Sequence, residues 1–522
     1  MDFWTKFAIH TLIVAVGLGL FVRTLYGRAR VLQSVRWTNL FDKIPERIQA
    51  LLVIGFGQKK FLIDQREKSA GWMHFFIFWG FTILGVRVTT AFAQGWFGPD
   101  FHLPLLGVDM LGGPYLLLKD LIEVFVLVSI SYALVRWLII HPHRLYGFRP
   151  AEDRLAGQDH VEAIVILCCI GGIMITDLCF EAGRYIAYPD VAHVAAERGW
   201  TPVASTLASV LPLGAGAAVA LSEAGWWGHN LLILFMLNLL PLSKHFHIIT
   251  GLPNTFFRKL EPLGALSKMD LENGTTFGTS RIDQFTWKQV LDMYTCTECG
   301  RCSSNCPATL TGKPLAPRQL LLNLRDYLYE TPGRADREAR GAQPPKAPMD
   351  AELPEVGENV VGDDSVIRDE VLWSCNACRA CEEACPVMIE YVDKIVDMRR
   401  HLVQEEARFP AELTRVFKGM ETQSNPWGLG AEKRIAWAEG LEFEIKRWPT
   451  IPTPSTSTTS AAAEPSTTAT RRPRISFAKI LEPRRHRLRD LRRKRSSATA
   501  TRRAASATST STRAWRRCWS SR

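Results

Sequence analysis

Acidic residues are almost missing from the last part of the chain. Residues 453–522 contain 18 Lys and Arg but only 3 Asp and Glu, a net charge of +15, whereas the whole chain of 522 residues carries +11. Residues 1–452 are therefore close to −4, the difference between these two values. The high isoelectric point of about 9.1 belongs to the tail, so it does not indicate nucleic-acid binding by the folded part. We expect no nucleic-acid partner.

Cysteine is scarce outside two short stretches. Eight of the 12 cysteines lie in these stretches, and the other four are Cys168, Cys169, Cys179 and Cys518. A disulfide framework is typical of small secreted domains, and this pattern excludes that class. The clustering indicates metal binding in a reducing compartment.

Charge of either sign is scarce in residues 1–255, which contain long apolar runs. A bilayer core of ~30 Å requires about 20 apolar residues in a helix. Five segments meet this length: 6–26, 72–93, 114–138, 161–181 and 229–250. A sixth candidate, at 201–222, is weaker because it is rich in Gly, Ala, Ser and Thr and contains two prolines. We therefore predict a multi-pass protein of the cell membrane, with the lipid bilayer as its surroundings.

Basic loops predict the orientation of these spans. The stretch "RTLYGRARVLQSVR" follows the first segment, "HPHRLYGFRPAEDR" follows the third and "FFRK" follows the last. Positive charge collects on cytoplasmic loops, so the amino terminus is predicted outside and the chain beyond residue 255 in the cytoplasm. Five spans satisfy all three observations, which makes 201–222 an outer-surface helix or loop. The first segment is predicted to be an anchor, not a cleavable signal peptide.

Histidines in the spans are haem b candidates, because ionisable groups are costly in a membrane and usually functional there. His74 starts the second span, His229 opens the fifth, and "SKHFHI" closes it with His245 and His247. Two imidazoles from different helices can hold haem iron. We predict one haem on His74 with His247 or His245, and a second on His229 with His10 as its partner. The alternative, strongest for His245, is an interfacial histidine whose ring reaches the headgroups.

A layer of charged residues also falls inside the spans. Arg87, Glu123 and Asp177 lie about 20–24 Å from the inner ends at 1.5 Å per residue. Lys119 and Asp120 are close to the same depth. One interpretation is ordinary charge at helix ends, and the other is haem-propionate pairing or proton delivery at a quinone site. The sequence leaves both open.

The two cysteine stretches share the frame C-x2-C-x2-C-x3-C-P. The first contains Cys296, Cys299, Cys302, Cys306 and Pro307, and the second contains Cys375, Cys378, Cys381, Cys385 and Pro386. Four thiolates suit a [4Fe–4S] cluster, and in two-cluster ferredoxins the fourth cysteine of each frame ligates the other cluster. We therefore predict one cluster on Cys296, Cys299, Cys302 and Cys385. We predict the other on Cys375, Cys378, Cys381 and Cys306. Zinc is disfavoured because its sites usually stop at four ligands.

Apolar residues recur at intervals of three and four after each frame, in "APRQLLLNLRDYLYE" and "IEYVDKIVDMRRHLVQEE", which predicts a helix in each. The predicted fold is all-α, a five-helix transmembrane cytochrome b bundle fused to a ferredoxin-like double [4Fe–4S] domain. The predicted parts are a membrane domain at 1–255, a linker at 256–284, a two-cluster domain at 285–410 with a surface insertion at 331–370, a helical or irregular extension at 411–450, and a tail at 451–522.

The tail lacks the apolar content that would offset its ordering entropy, so it is predicted to be disordered. One interpretation is a basic tail near anionic lipid, where each Lys or Arg adds ~1 kcal/mol of attraction. The favoured interpretation is translation of a GC-rich gene out of frame from about Ile451, because the tail is rich in Arg, Ala, Ser and Thr.

The order of haem-bearing spans followed by a double cysteine frame resembles membrane iron–sulfur oxidoreductases related to heterodisulfide reductase. The first 255 residues resemble the cytochrome b (gamma) subunit of respiratory nitrate reductase, with "HFFIFWGF" and the pair His229 and His247 as matching features. Residues 285–410 resemble the ferredoxin-type part of the heterodisulfide reductase catalytic subunit, through both frames and "CRACEEACPV". The fused form is similar to proteins that link electron-transferring flavoprotein to menaquinone, and to membrane subunits of the dissimilatory sulfite-reduction complex.

The resemblance implies an oxidoreductase that passes electrons between a soluble cytoplasmic donor, such as electron-transferring flavoprotein, and menaquinone or another membrane quinone. Two [4Fe–4S] clusters and haem b are the implied carriers. The alternative is a non-catalytic electron-transfer subunit of a larger heterodisulfide- or sulfite-reductase-like complex. Two features depart from the family: Leu84 stands where the gamma-subunit pattern has a second histidine, and the paired Cys-Cys-Gly elements are missing. Their absence argues against thiol–disulfide chemistry on this chain.

Overall fold

The computed structural model describes residues 2–338 and 359–439, apart from gaps at 65–66, 99–100, 105, 107–110, 147–157, 263, 270, 273, 275–276, 363–364 and within 431–438. These residues form helices and turns, and no strand occurs among them, which confirms the all-α class. The membrane part contains seven helices of nine residues or more: α1 Phe3–Ser34, α2 Lys68–Phe97, α3 Gly113–Val135, α4 Gln158–Ala187, α5 Pro202–Val210, α6 Ala215–Leu239 and α7 His247–Phe256.

The cysteine part contributes three further helices, and one more follows it: α8 Trp287–Thr295, α9 Pro317–Glu338, α10 Val392–Gln404 and α11 Glu412–Gln423. Short helical segments connect these elements: Ile44–Ala50, Leu51–Phe56, Lys59–Ile63, Arg136–Ile140, His143–Tyr146, Ala192–Arg198, Leu240–Leu242, Lys244–Phe246, Ile282–Gln284, Arg301–Ser304, Pro307–Leu310, Asp369–Trp373 and Ala380–Ala384.

Four described helices are long and apolar enough to cross a membrane: α1, α2, α3 with its extension to Ile140, and α4. A fifth span exists if the helix at Ala215–Leu242 is counted together with the segment Lys244–Phe256, from which it is bent by 98°. Counted in this way, the number equals the five spans that the sequence predicted. The side of the membrane on which each end lies stays a prediction.

The predicted boundaries of the fifth span are wrong. The span begins at Ala215 instead of residue 229, and the chain turns at Ser243, whose side chain accepts a hydrogen bond from the peptide nitrogen of His245. Pro241 lacks the peptide N–H that would continue the helix. His229 therefore lies within α6 and His247 begins α7, so the two histidines do not share one straight helix. The candidate at 201–222 divides into α5, which is too short to span, and the start of α6.

Glycines allow α4 and α6 to pack with their backbones in contact. A Cβ atom at Gly225 would lie 2.6 Å from the peptide nitrogen of Phe180, and one at Gly183 would lie 2.6 Å from that of Ser222. Small residues at helix contacts are typical of membrane bundles, where close backbone approach supplies van der Waals packing. This contact holds α4 and α6 beside each other along the bundle.

One hydrophobic core joins the cysteine part to the end of the bundle. Phe246, which precedes α7, packs in the same cluster as Tyr294 of α8. Asn254 of α7 donates to Asp292 of α8 at 2.9 Å and to the carbonyl of Val387 at 2.8 Å. The cysteine frames are thus fixed relative to the membrane helices by buried contacts.

Part of the predicted insertion at 331–370 packs into the core instead. Helix α9 continues to Glu338, and Val360, Val361 and Ile367 are 0–2% exposed. A backbone hydrogen bond from Val360 to the carbonyl of Ser280 holds the returning chain in place. Residues 339–358 lie outside the described part of the chain, as does the tail at 451–522.

The chain divides into two compact units at Ala407 and Arg408. In the second unit, α11 ends beside Asn425, whose peptide nitrogen donates to the carbonyl of Gly419. The side chain of Asn425 accepts hydrogen bonds from Trp427 and Leu429, which closes a tight turn after the helix. The predicted extension at 411–450 is therefore helical at its start.

Candidate electron-transfer site

The two cysteine frames have the same backbone path. Glu298 and Gly300 in the first frame have φ of 57° and 72°, and the equivalent residues Ala377 and Arg379 have φ of 51° and 60°. A left-handed conformation costs an L-residue about 1–2 kcal/mol, so its repetition at matching positions marks a required shape. Each loop curls around its cysteines and then enters a short helix.

The fold brings each fourth cysteine to the opposite frame. One small cavity is lined by Cys296, Cys299 and Cys302 of the first frame together with Cys385 of the second. Cys306 in turn interacts electrostatically with Cys375 and Cys381. Cys381 also interacts electrostatically with Cys302 of the first frame, so the two crossed ligand sets stay a prediction. No group of three or more described His, Cys, Asp and Glu side chains is placed to hold a single metal ion.

The chemistry of these thiols fits iron–sulfur ligation. Burial raises the pKa of Cys296 to about 12 and that of Cys302 to about 11, so these thiols need a cationic partner to ionise. Iron supplies such a charge. Peptide N–H groups also point at sulfur, from Ala377 to Cys375 at 3.3 Å and from Ile389 to Cys385 at 3.4 Å. Hydrogen bonds to sulfur tune the reduction potentials of such clusters.

The two frames differ in exposure. Cys296, Cys302, Cys306, Cys381 and Cys385 are buried, whereas Cys378 is exposed and Cys299 and Cys375 are half-buried. Cys299 faces the membrane part: its carbonyl accepts a hydrogen bond from Arg144. The exposed Cys378 therefore marks the frame that is open to the surface.

A cavity of about 860 Å³ lies inside the bundle, and three of the predicted haem histidines line it: His74, His245 and His247. Thr297, Cys299 and Pro386 of the cysteine part line the same cavity. The cavity thus has imidazoles on one wall and the cysteine loops on another, with apolar side chains of α1, α2 and α6 along its length.

The rings of His74 and His247 are both held through Nδ1. His74 Nδ1 lies 3.0 Å from Gln58 Oε1, and the ring stacks on Phe61 with 4.0 Å between centroids. His247 Nδ1 lies 2.8 Å from the carbonyl of Lys244. A hydrogen bond at Nδ1 to an acceptor fixes the tautomer whose Nε2 lone pair is free for a metal. These two residues therefore fit haem ligation.

The other histidine candidates have different surroundings. His245 Nδ1 lies 3.4 Å from Glu162 Oε1, at the same end of the bundle. His229 Nδ1 lies 3.1 Å from the carbonyl of Ile173, and His10 Nε2 lies 3.0 Å from that of Phe92. Neither His229 nor His10 lines the large cavity. A second haem on this pair stays a prediction.

Three arginines line the cavity beside the histidines, and the sequence analysis did not identify them: Arg136, Arg144 and Arg301. Glu67 binds Arg136 at 2.8 Å and Arg144 at 3.0 Å. Guanidinium groups fit the carboxylates of haem propionates, because they donate several hydrogen bonds in one plane. Only Arg144 had a sequence signal, because it lies in the basic stretch "HPHRLYGFRPAEDR" that was used to orient the spans.

Comparison with known proteins agrees with this architecture. Residues 288–386 match the family model of a 4Fe-4S dicluster domain. The chain is similar to the probable iron-sulfur-binding oxidoreductase FadF of Bacillus subtilis, with 32% identity over 484 residues, which cover 84% of this chain and 64% of that protein. It is 31% identical over 409 residues to the EtfAB:quinone oxidoreductase of Syntrophomonas wolfei, covering 76% of this chain and 54% of that protein.

A probable membrane-anchored ferredoxin of Chromohalobacter salexigens is 32% identical over 275 residues, which cover 51% of this chain and 39% of that protein. The chain spans about two thirds or less of the length of each of these relatives. No solved structure matches. These similarities confirm the resemblance to membrane iron–sulfur oxidoreductases related to heterodisulfide reductase.

Proposed function

We propose that this relative of membrane iron–sulfur oxidoreductases passes electrons between a soluble cytoplasmic donor and the membrane quinone pool. Two [4Fe–4S] clusters and haem b supply the one-electron carriers when bound. One observation carries the proposal: Cys299 and the pair His74 and His247 line the same cavity. A haem on these histidines and a cluster on Cys299 would border the same cavity, so the two carriers would lie near each other.

The cysteine ligands are proposed as two crossed sets. The first set adjoins the membrane cavity and consists of Cys296, Cys299, Cys302 and Cys385. The second set contains the exposed thiol and consists of Cys375, Cys378, Cys381 and Cys306. The exposure of Cys378 supports entry of electrons from the donor at the second set, because only this set reaches the surface of the described residues.

One haem b is proposed on His74 and His247, with His245 as the alternative to His247. Gln58 and the carbonyl of Lys244 orient the two rings from behind. Arg136 and Arg144 stand where carboxylates of the haem would be neutralised. His229 with His10 remains the proposal for a second haem.

The quinone site is proposed in the part of the cavity away from His74. The cavity is lined there by Phe81, Gly85 and Val88 of α2 and by Val14 and Leu18 of α1. Such an apolar surface suits an isoprenoid tail. The name of the Syntrophomonas wolfei relative supports electron-transferring flavoprotein as donor and quinone as acceptor. The proposed location is the cell membrane, with the amino terminus outside and the iron–sulfur domain in the cytoplasm.

The second candidate function is a non-catalytic electron-transfer subunit that delivers electrons to a partner protein. The similarity to a probable membrane-anchored ferredoxin favours it. In this case the carriers are reduced by the donor, yet quinone does not react.

The test uses the full chain purified anaerobically in detergent. We expect about eight irons as two [4Fe–4S] centres, from the eight thiolates of the two frames. Reduced protein mixed with a water-soluble menaquinone analogue should reoxidise its haem and form quinol. Haem that reduces normally but is not reoxidised by any quinone analogue would favour the subunit function. A preparation that binds no haem would contradict both.

A further inference from the structure

A group of five charged side chains is buried among the membrane helices, here named the bundle ion cluster: Arg87, Lys119, Glu123, Asp177 and Glu181. They come from α2, α3 and α4 and are only 0–6% exposed. The sequence placed four of them at similar depth, but Glu181 was missed. Buried charges in a membrane are costly unless they are paired, so a group of this size needs a use.

The cluster contains more acids than bases. Asp177 binds Arg87 Nε at 2.9 Å and Lys119 Nζ at 2.9 Å, so it is fully paired as a carboxylate. Lys119 Nζ also lies 2.8 Å from Glu181 Oε1 and 3.3 Å from Glu123 Oε1. Two cations thus face three carboxyl groups. One negative charge is left over if all three ionise, and one proton removes it.

Glu123 is the carboxyl whose contacts best suit it to carry this proton. It is the most weakly held of the three, and neither of its oxygens takes part in a hydrogen bond that meets normal geometry. Asp177 and Glu181 have shorter contacts with the cations. A neutral carboxylic acid at Glu123 leaves the cluster with zero net charge in an environment where an unpaired ion costs several kcal/mol.

The other titratable groups around Glu123 have partners or lie apart. On α3, Asp120 accepts from the peptide nitrogens of Val203 and Ala204, and Tyr115 donates to the carbonyl of Ile83. Helix α5 has no titratable side chain. On α4, Tyr185 is hydrogen-bonded to Thr201 at 2.8 Å, and Arg184 pairs with Glu197 at 3.0 Å.

On α6, His229 has an unpartnered Nε2 atom, is 3% exposed and interacts electrostatically with Asp177. Like the side-chain oxygens of Glu123, this Nε2 atom has no hydrogen-bond partner among the described residues. The proposed second haem would use this same Nε2 atom, so the proton site is inferred from the carboxyl groups of the cluster alone.

The bundle ion cluster adjoins the large cavity. Each of the three helices has a residue that lines the cavity close to a cluster residue. These neighbours are Leu84 and Val88 beside Arg87 on α2, Val126 one turn from Glu123 on α3, and Met174 one turn from Asp177 on α4. Glu197 interacts electrostatically with Arg87 of the cluster, and its Oε1 lies 3.3 Å from Nε2 of His102, whose side chain is 28% exposed. The cluster therefore has the cavity and a partly exposed acid–histidine pair among its neighbours.

We propose that Glu123 is the proton-carrying carboxyl of the quinone reaction, a role that rests on the proposed function. A quinone becomes quinol by gaining two electrons and two protons. The electrons come from the donor through the chain's carriers. Glu123 delivers the protons one at a time and is reloaded from water on the side of the Glu197–His102 pair. In quinol oxidation the same groups take up the protons and release them to water.

The test is infrared difference spectroscopy of the full chain, recorded while the protein is reduced and reoxidised in ordinary and heavy water. Wild-type protein should show a carboxylic-acid band that shifts in heavy water and changes with redox state. Glu123→Gln should lose this band and reduce the menaquinone analogue about 100-fold more slowly, which is within the range for loss of a general acid. Glu123→Asp should restore a band at a shifted position.

The matched control is Glu223→Gln, because Glu223 is half-exposed and pairs with Lys6 at 2.8 Å at the bundle surface. It should keep both the band and the rate. Unchanged haem and iron content shows that a variant has folded. A band that survives in Glu123→Gln, or its absence from wild type, would overturn the proposal. If the band behaves as expected but wild type reduces no quinone, the proton site stands and the proposed quinone chemistry fails.

Discussion

The two cysteine frames have identical spacing and the same backbone path but opposite surroundings. At the fifth position the first frame has Gly300, where a Cβ atom would collide with the carbonyl of Arg144. The second frame has Arg379 there, which binds Glu382 at 2.8 Å and Asp393 at 3.3 Å. The frame with glycine thus packs its loop against the backbone of Arg144 in the membrane part. The second frame also contacts the membrane part, through Glu383, which binds Lys60 at 2.7 Å, but its Arg379 pairs with carboxylates of the cysteine part. Equal motifs thus acquire different roles through their neighbours, one beside the membrane carrier and one open to a donor.

The largest expected effect is the loss of one cluster while the other remains. Cys306→Ala should remove the cluster of the second frame, and Cys385→Ala should remove that of the first, because each fourth ligand crosses over. Electron paramagnetic resonance of the reduced protein distinguishes the two centres. Cys168→Ala, which alters a cysteine outside both frames, should keep both signals. Loss of the first-frame signal alone in Cys306→Ala would mean that each frame holds its own cluster.

The next effect concerns the ion group that anchors the first frame to the bundle. Asp292 is 0% exposed and binds Lys288 at 2.7 Å and Lys394 at 2.5 Å. Asp292→Asn should leave Lys394 without its carboxylate and Lys288 with only Glu390, at 3.5 Å, and should destabilise the protein by about 3–5 kcal/mol. Thermal unfolding measures the effect. Asp283→Asn removes a half-exposed partner of Arg281 and should change the stability little. Equal losses in both variants would show that the buried group has no special role.

A smaller effect tests the docking of the first frame directly. Gly300→Ala introduces both left-handed strain and a collision with the backbone of Arg144, so it should destabilise the docked state by roughly 2–4 kcal/mol. Gly312 is the matched control, because its φ is 76° and a Cβ there meets no atom within 4 Å. Gly312→Ala should cost only the strain, about 1 kcal/mol. Electron transfer from clusters to haem should slow in the first variant and not in the second.

The smallest effect is a pH dependence. Burial alone would raise the pKa of Asp292, but the ammonium groups of Lys288 and Lys394 hold it below its usual value. The stabilisation is therefore complete above the unfolded pKa of about 3.9 and is lost as the pH falls through the lower folded value. Unfolding temperatures of wild type should fall below about pH 4, and Asp292→Asn should lack this component. Parallel curves for the two proteins would contradict this assignment.

The grouping of the cysteines was easier to predict from the sequence than the arrangement of the membrane helices, for a physical reason. Spacing within a frame is a local property, so the residues that gather around Cys299 were identifiable from the motif. The bend after α6 depends on Pro241 and Ser243. Both residues favour turns, but the apolar residues around them led the sequence analysis to predict one continuous helix. Gln58 and Arg144 reach the cavity from segments between spans, and no periodicity indicates that they line it together with His74.

The sequence analysis identified some but not all residues of the bundle ion cluster. Counting residues along each span placed Arg87, Glu123 and Asp177 at one depth, which is correct because helical rise is regular. Glu181 lies one turn beyond Asp177, and the sequence analysis did not assign it to the cluster. It belongs to the cluster because Lys119 binds the carboxylates of both residues. The depth of a residue in a span can therefore be predicted from the sequence, whereas the charge balance of the cluster can be determined only from the side-chain contacts.

The central claim is that a haem on His74 and His247 shares a cavity with the first cysteine frame. Visible absorption spectra of His74→Ala and His247→Ala test it most directly, with cluster signals recorded on the same samples and His245→Ala included to distinguish the two candidates for the second ligand. The account predicts that both variants lose the same low-spin haem b while both cluster signals remain, and that His245→Ala keeps the haem. Full haem absorbance in His74→Ala would contradict the account.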